Sequence, residues 1–216
     1  MSFIALRLRR SENTAIPKVS QKHLEARRKQ ILEAAIECFA DNGLHRTTMQ
    51  DIMRESGLSV GAPYQYFDSK EQLIEAIAAE RHAHEREIIL EASAKVDTAE
   101  VLRTLIDRFQ QTLLEPRDRK GRRMAMQLWT EALRNPRILK TVRKGVDEPR
   151  QMLAAIVTRA RDNGEMPKDI DPDAMARVMI ALFQGFALQL AWDPRTDPKP
   201  FAKAVERLFA ATLSRA

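Results

Sequence analysis

Few side chains in this sequence stand at spacings that make or break bonds. The stretch RHAHERE, Arg81 to Glu87, offers His82, His84 and Glu85. A helical metal pair needs histidines four residues apart; these are two apart and face different ways, so the stretch reads as a solvated helix face. Cys38 is the single cysteine and cannot close an internal disulfide. With Ile36 and Phe39 nearby it reads as an apolar filler rather than a reactive thiol. The sequence has no glycine-rich phosphate loop, no G-x-S-x-G turn and no Cys/His nucleophile pair of recognisable spacing. No metal and no cofactor are expected. What remains is charge. Residues 1–30 carry eight basic and two acidic side chains, whereas the other 28 basic and 28 acidic residues cancel, so the net charge of +6 sits at one end. That asymmetry suits a polyanion. For residues 1–18 a solvated tail explains the charge equally well. For Lys22 to Lys29, beside a helical pattern, nucleic acid is the better reading. The run RDRKGRR, 117–123, attracts acidic ligands in principle but reads first as a loop with helix-start charges.

The elements that must position these groups are helices. Apolar residues make up 44% and charged residues 31% of the 216, with only seven glycines, as in a soluble globular chain rich in helix formers. No apolar run approaches the ~20 residues of a membrane span, and the arginines at 7, 9 and 10 interrupt any secretory core. A reducing, cytoplasmic setting without membrane association follows. Residues 1–20 read as a flexible basic arm. Ile31, Leu32, Ala35, Ile36 and Phe39 mark one helix face, and Asn42-Gly43 closes that helix. Thr47-x-x-Gln50 reads as a capping box opening a short helix that ends at Ser56-Gly57. Ser59 caps the next, ending near Phe67, with Leu58 and Phe67 as core anchors. Ser69-x-x-Gln72 opens a long helix to about Ala92. Further helices are predicted from Thr98 to about Leu114, Lys120 to Leu133, a short one at Asn135-Pro136, Val146 to Asn163, Pro172 to Trp192 and Pro198 to about Leu213. About nine helices and no strand make the chain all-α, divided at 21–70 and 71–216.

In AMARVMIALFQGFALQLAW nearly every position is apolar or small. A helix apolar all round must be buried on most sides. Either it is the central helix of a monomer, or a second copy covers it through residues 172–192 and 201–213, with Ala174, Ala181 and Gly185 allowing close approach.

Three helices with a tight turn between the second and third, behind a basic lead-in, describe a helix-turn-helix unit, a geometry found in many helical proteins. The wording is more specific. ILEAAIECFADNGLHRTTMQDIMRESGLSVGAPYQYFDSKEQLI resembles the N-terminal region of TetR/AcrR-family transcriptional regulators along its whole length. The resemblance rests on Ala34-Ala35 and Phe39, Gly43, Thr47-Thr48, Asp51-Ile52, Gly57-Leu58-Ser59, Gly61, Tyr64, Tyr66-Phe67, and Ser69-Lys70-Glu71 with Leu73. It implies that Thr47, with Thr48 beside it, holds a phosphate at a helix N-terminus. It implies a second phosphate on the Tyr66 phenol and a point charge from Lys70. Val60, Ala62, Tyr64 and Gln65 become the base-facing candidates: Gln65 suits adenine, and Val60 or Ala62 a thymine methyl. Pro63 departs from the larger aliphatic residue usual there. As N4 behind Ser59 it forfeits only the first helical bond, well below the ~3 kcal/mol of a mid-helix proline, while Ala62 is pushed toward extended backbone. A third helix that starts tighter or later is expected, with its base contacts displaced.

Beyond about residue 75 the resemblance is one of layout, an N-terminal three-helix helix-turn-helix domain followed by a larger helical ligand-binding and dimerisation domain. LWTEALRNPRI and ARDNGEMPKDIDPDAMARVMIALFQGFAL also look like members of this family. Phe109, Met124, Met126, Trp129, Phe183, Gln184 and Phe186 are cavity candidates, although Met and aromatic residues at helical spacing more often only fill a core. Such a lining suits a small, mostly apolar or aromatic effector. The expected protein is a homodimeric repressor of a palindromic double-stranded DNA operator, released by that effector. The alternative is an all-α enzyme or protein-interaction module carrying a degenerate helix-turn-helix.

Overall fold

The computed structural model describes residues 21–58, 65–115 and 118–213. Among them are eight helices and no strand: α1 (Gln21–Asn42), α2 (Met49–Ser56), α3 (Lys70–Ser93), α4 (Thr98–Leu114), α5 (Asp118–Ala132), α6 (Pro136–Asp162), α7 (Pro172–Trp192) and α8 (Pro198–Leu213). The expected arm, and Ser59, Val60, Gly61, Ala62, Pro63 and Tyr64 of the expected third helix, lie outside the described residues.

Local chemistry sets most boundaries. Gly43 and Gly57 take φ +86° and +65°, the left-handed backbone that lets α1 and α2 stop. Asn135 and Asp171 accept from the first free N–H groups of α6 and α7, each with proline in the opening turn. Two caps differ from the sequence reading by one residue. α2 is capped by Thr48, whose hydroxyl accepts from Asp51 N–H while the Asp51 carboxylate accepts from Thr48 N–H. Thr47 is turned inward and unavailable as a cap. α4 is capped by Asp97 instead of Thr98.

α6 is a single 27-residue helix where a short and a longer one were expected. Pro149 has no N–H for the Gly145 carbonyl and its ring crowds that group, yet Ile138, Leu153, Ile156, Val157 and Ala160 are buried on both sides of the interruption. Packing against α3, α5 and α7 outweighs the lost bond.

The core is not partitioned between the N-terminal helices and the rest of the chain. Ile31, Leu32, Phe39, Ile52, Phe67 and Leu73 of the N-terminal unit share one buried cluster with Met124, Leu128 and Ala132 of α5 and Ile138 of α6. Further clusters join α3, α4, α6 and α7, and α4, α6 and α8. Within the 21-residue α7 a stretch of 18 residues reaches a mean hydropathy of 1.5, so by length and composition alone it could cross a membrane, correcting the reading that no run comes close. It packs against α5 and α6.

Candidate nucleic-acid interface and ligand cavity

The corner between α1 and α2 is built from side chains that replace missing backbone partners. Thr47 is 1% exposed, and its hydroxyl donates to Cys38 O at 3.0 Å and Gly43 O at 2.8 Å. This corrects its expected phosphate role, because a buried hydroxyl already bonded to α1 does not reach a DNA strand. Thr48 stays at the surface, its hydroxyl donating to Asp51 at 2.7 Å. Those bonds, with Arg54 at 2.8 Å, hold the Asp51 carboxyl below its ordinary range.

Lys70 opens α3, and its ammonium donates to Leu44 O at 2.7 Å and Thr47 O at 3.2 Å. Two of its three donors thus clasp the corner, and both acceptors are neutral carbonyls. Tyr66 is half-buried against the N-terminal core, and Gln65 is exposed in the turn before it. Both lie beside Gln21, Leu24, Glu25 and Arg28 at the start of α1. In the basic lead-in, Arg28 pairs with Glu80 at 2.6 Å and lies 5.4 Å over the Phe67 ring, and Arg27 donates to Gln30. Lys22 and Lys29 are exposed. Among the described candidates, Thr48 and Gln65 are exposed and Tyr66 is half-buried, and Gln65 and Tyr66 adjoin the start of α1. Val60, Ala62 and Tyr64 lie outside the described residues.

Behind this unit a cavity of ≈ 350 Å³ runs between α3, α4, α5, α6, α7 and α8. Phe109, Met126, Trp129, Phe183 and Gln184 all line it, with Met124 and Phe186. Phe109 and Phe183 meet at 4.6 Å between ring centroids, and Phe186 stacks on Phe201 at 3.9 Å. The wall contributed by α3 was misread from sequence. Arg81, His82 and Glu85 line the cavity, with Arg81 bonded to Glu85 at 3.3 Å and their side chains only 24% and 17% exposed. Residues 77, 81, 85 and 88 or 89 share a helix face, so the buried Ile77, Ile88 and Ile89 were the signal that the stretch turns inward. His82 packs on Gly145: a Cβ there would fall 1.8 Å from its Nε2. Burial, then Arg81 and Lys144, push the imidazole pKa below 6.5 against the pull of Glu148.

α5 joins the two regions. Its cavity face holds Gly121, Met124, Ala125, Met126, Leu128 and Trp129. From the same helix Lys120 pairs with Glu37 and Asp41, Arg123 reaches Asp41 at 3.5 Å, and Glu131 meets His45 at 2.9 Å. Gln127 donates to Phe39 O and accepts from Leu44 N–H, both at 3.0 Å. The run 117–123 is thus largely the first turns of a helix, with Arg122 buried and donating to Leu113 O at 3.0 Å.

Comparison with known proteins places this arrangement. Residues 31–77 match the bacterial regulatory proteins of the tetR family, and residues 98–214, more than half the chain, match the BetI-type transcriptional repressor C-terminal domain. The chain belongs to the TetR family. The repressor AcnR of Corynebacterium diphtheriae is 26% identical over 185 residues, spanning 84% of this chain and 90% of that one. The solved structure of Salmonella enterica GusR is 28% identical with a TM-score of 0.71, covering 91% of this chain and 99% of its own. FadR of Bacillus subtilis, in complex with stearoyl-CoA, shares the fold at 19% identity and a TM-score of 0.72, over 83% and 96%. As a TetR-family protein the chain is a DNA-binding transcriptional regulator and not an enzyme.

Proposed function

We propose that this TetR-family chain is a homodimeric repressor that leaves a palindromic operator when a small, mostly apolar or aromatic molecule fills its cavity. The observation that carries the reading is the position of α3. Its first residue, Lys70, clasps the α1–α2 corner, while Ile77, Arg81, His82, Glu85 and Ile89 further along form one wall of the cavity. A ligand pressing on that wall acts on a helix already bonded to the DNA-reading unit, and shifts its position by as much as the ligand's affinity differs between the two states. The lining of Phe109, Met126, Trp129 and Phe183, with the Gln184 amide, favours rings and alkyl groups bearing one or two polar atoms. FadR of Bacillus subtilis, with the same fold, is seen in complex with stearoyl-CoA.

Dimerisation is read from α7 and α8. Ala174, Val178, Ala181, Gln189 and Trp192 lie along an exposed stripe of α7, Val178 and Trp192 being 49% and 74% exposed. A Cβ on Gly185, beside the same stripe, would meet nothing within 4 Å. Ala204, Leu208 and Ala211 form a parallel stripe on α8. Two such faces together bury what one leaves in water. The dimer sets two reading heads ~34–36 Å apart, for successive major grooves. Residues 21–70 form the DNA-binding division and 71–216 the effector-binding and dimerising one. On the DNA side, Thr48 and Tyr66 meet phosphates, and Gln65 with Val60, Ala62 and Tyr64 faces bases. The protein works in the cytoplasm.

The test begins with selection of bound fragments from a genomic DNA library and titration of a recovered palindrome against salt and aromatic compounds. Affinity should fall steeply with salt, and a compound that quenches Trp129 fluorescence should weaken DNA binding by about fivefold or more. A compound that saturates the cavity and leaves DNA affinity unchanged overturns the coupling.

A further inference from the structure

The corner that leads into α2 is gripped from two directions at one residue. Leu44 C=O accepts from Lys70 of α3 at 2.7 Å, and Leu44 N–H donates to Gln127 of α5 at 3.0 Å. The Gln127 amide also donates to Phe39 O, near the end of α1, at 3.0 Å. One side chain therefore serves as an inserted peptide group: it adds a second donor to the Phe39 carbonyl, which already accepts from Gly43 N–H, and takes up the first N–H past Gly43. Its neighbours on α5 have other tasks. Met126, Leu128 and Trp129 line the cavity, and Met124 and Leu128 belong both to the cavity wall and to the core under α1. The α5 side chains that reach α1 and the corner, Lys120, Arg123, Gln127 and Glu131, recur at three- and four-residue intervals, so they share one face.

We infer that Gln127 is the positioning residue through which α5 reports the state of the cavity to the α1–α2 corner, independently of the route along α3. This rests on the reading of the cavity as the effector site. α5 is a rigid rod with the cavity on one side and the corner amide bridge on another. A shift that accommodates a ligand against Met126 or Trp129 moves Gln127 with it. Because both of its hydrogen bonds end on backbone, the displacement reaches the start of α2 without any side-chain relay. The surface pairs of Lys120, Arg123 and Glu131 flank this bridge.

The experiment is a double-mutant cycle on the full-length protein, Trp129→Ala against Gln127→Met. It is read by single-amide hydrogen exchange at Thr47 and Ile52, whose N–H groups bond Gly43 O and Thr48 O rather than Gln127. Trp129→Ala alone should change exchange at both amides by about fivefold or more, and Gln127→Met should reduce that response to less than about twofold. A full response in the Gln127→Met background, or none in the native one, overturns the inference. Gln127→Met should also weaken affinity for a selected duplex by about tenfold with its salt slope intact. Should either variant fail to fold by circular dichroism, Gln127→Glu, which keeps the acceptor and loses the donor, and Trp129→Phe replace them under the same criteria. N-phenyl-1-naphthylamine serves as the cavity probe. Its failure to enter counts against the effector reading, while the cycle, which runs without it, tests separately whether the cavity wall and the corner are coupled through Gln127.

Discussion

Thr47 and Thr48 are adjacent and do opposite things, one facing the core and the other the surface. The sequence reading takes Thr47-x-x-Gln50 as the capping box, whereas the box that forms is Thr48 with Asp51. The choice is made by Cys38 O and Gly43 O, carbonyls at the end of α1 that take the Thr47 hydroxyl, and that is a matter of how α1 ends. Replacing Thr47 with Val keeps the shape and removes the donor to both. The change should cost about 1–3 kcal/mol, seen in calorimetry as a drop of roughly 2–4 °C per kcal/mol for a chain of this size. Thr47→Ser should restore most of the loss. If Thr47→Val unfolds at the native temperature but binds DNA far more weakly, the hydroxyl has a contact with DNA that its burial argues against.

At the scale of helices, α3 and α6 meet through His82 and Gly145, and Pro149 lies on the same cavity wall. The helices themselves were legible from caps and periodicity: α7 begins and ends where Asp171-Pro172 and Trp192 indicate. Their inward faces were less so. RHAHERE carries so much charge that composition assigns it to water, whereas the buried Ile77, Ile88 and Ile89 on either side carry it against α4 and α6. Gly145 likewise reads as a break, although the neighbouring imidazole occupies the space a side chain would need. Gly145→Ala should push the ring off α6 and destabilise the protein by about 1–3 kcal/mol. Acid should act in the same direction. Folding lowers the His82 pKa below 6.5, so the contribution of the neutral ring is complete above that value and is lost as pH falls through the folded one. Stability measured from neutral to mildly acidic pH should decline on this account in the native chain and less so in His82→Phe.

For the molecule as a whole, the proposed dimer rests on the exposed stripes of α7 and α8. Leu208→Glu and Val178→Glu should each yield a monomer in sedimentation, with helix content preserved and affinity for a palindrome reduced by about a hundredfold or more, because one reading head then binds without the other. A dimer that survives both changes puts the contact elsewhere. The shared core has a further consequence, for engineering. Met124, Leu128, Ala132 and Ile138 complete the packing under Ile31, Phe39 and Leu73, so a fragment ending at Ser93 would be left with an open, greasy underside. Anyone transplanting this DNA-reading head onto a different sensor must bring α5 and the opening of α6 along with it. A chimera spliced between α3 and α4 should come out of the cell as inclusion bodies.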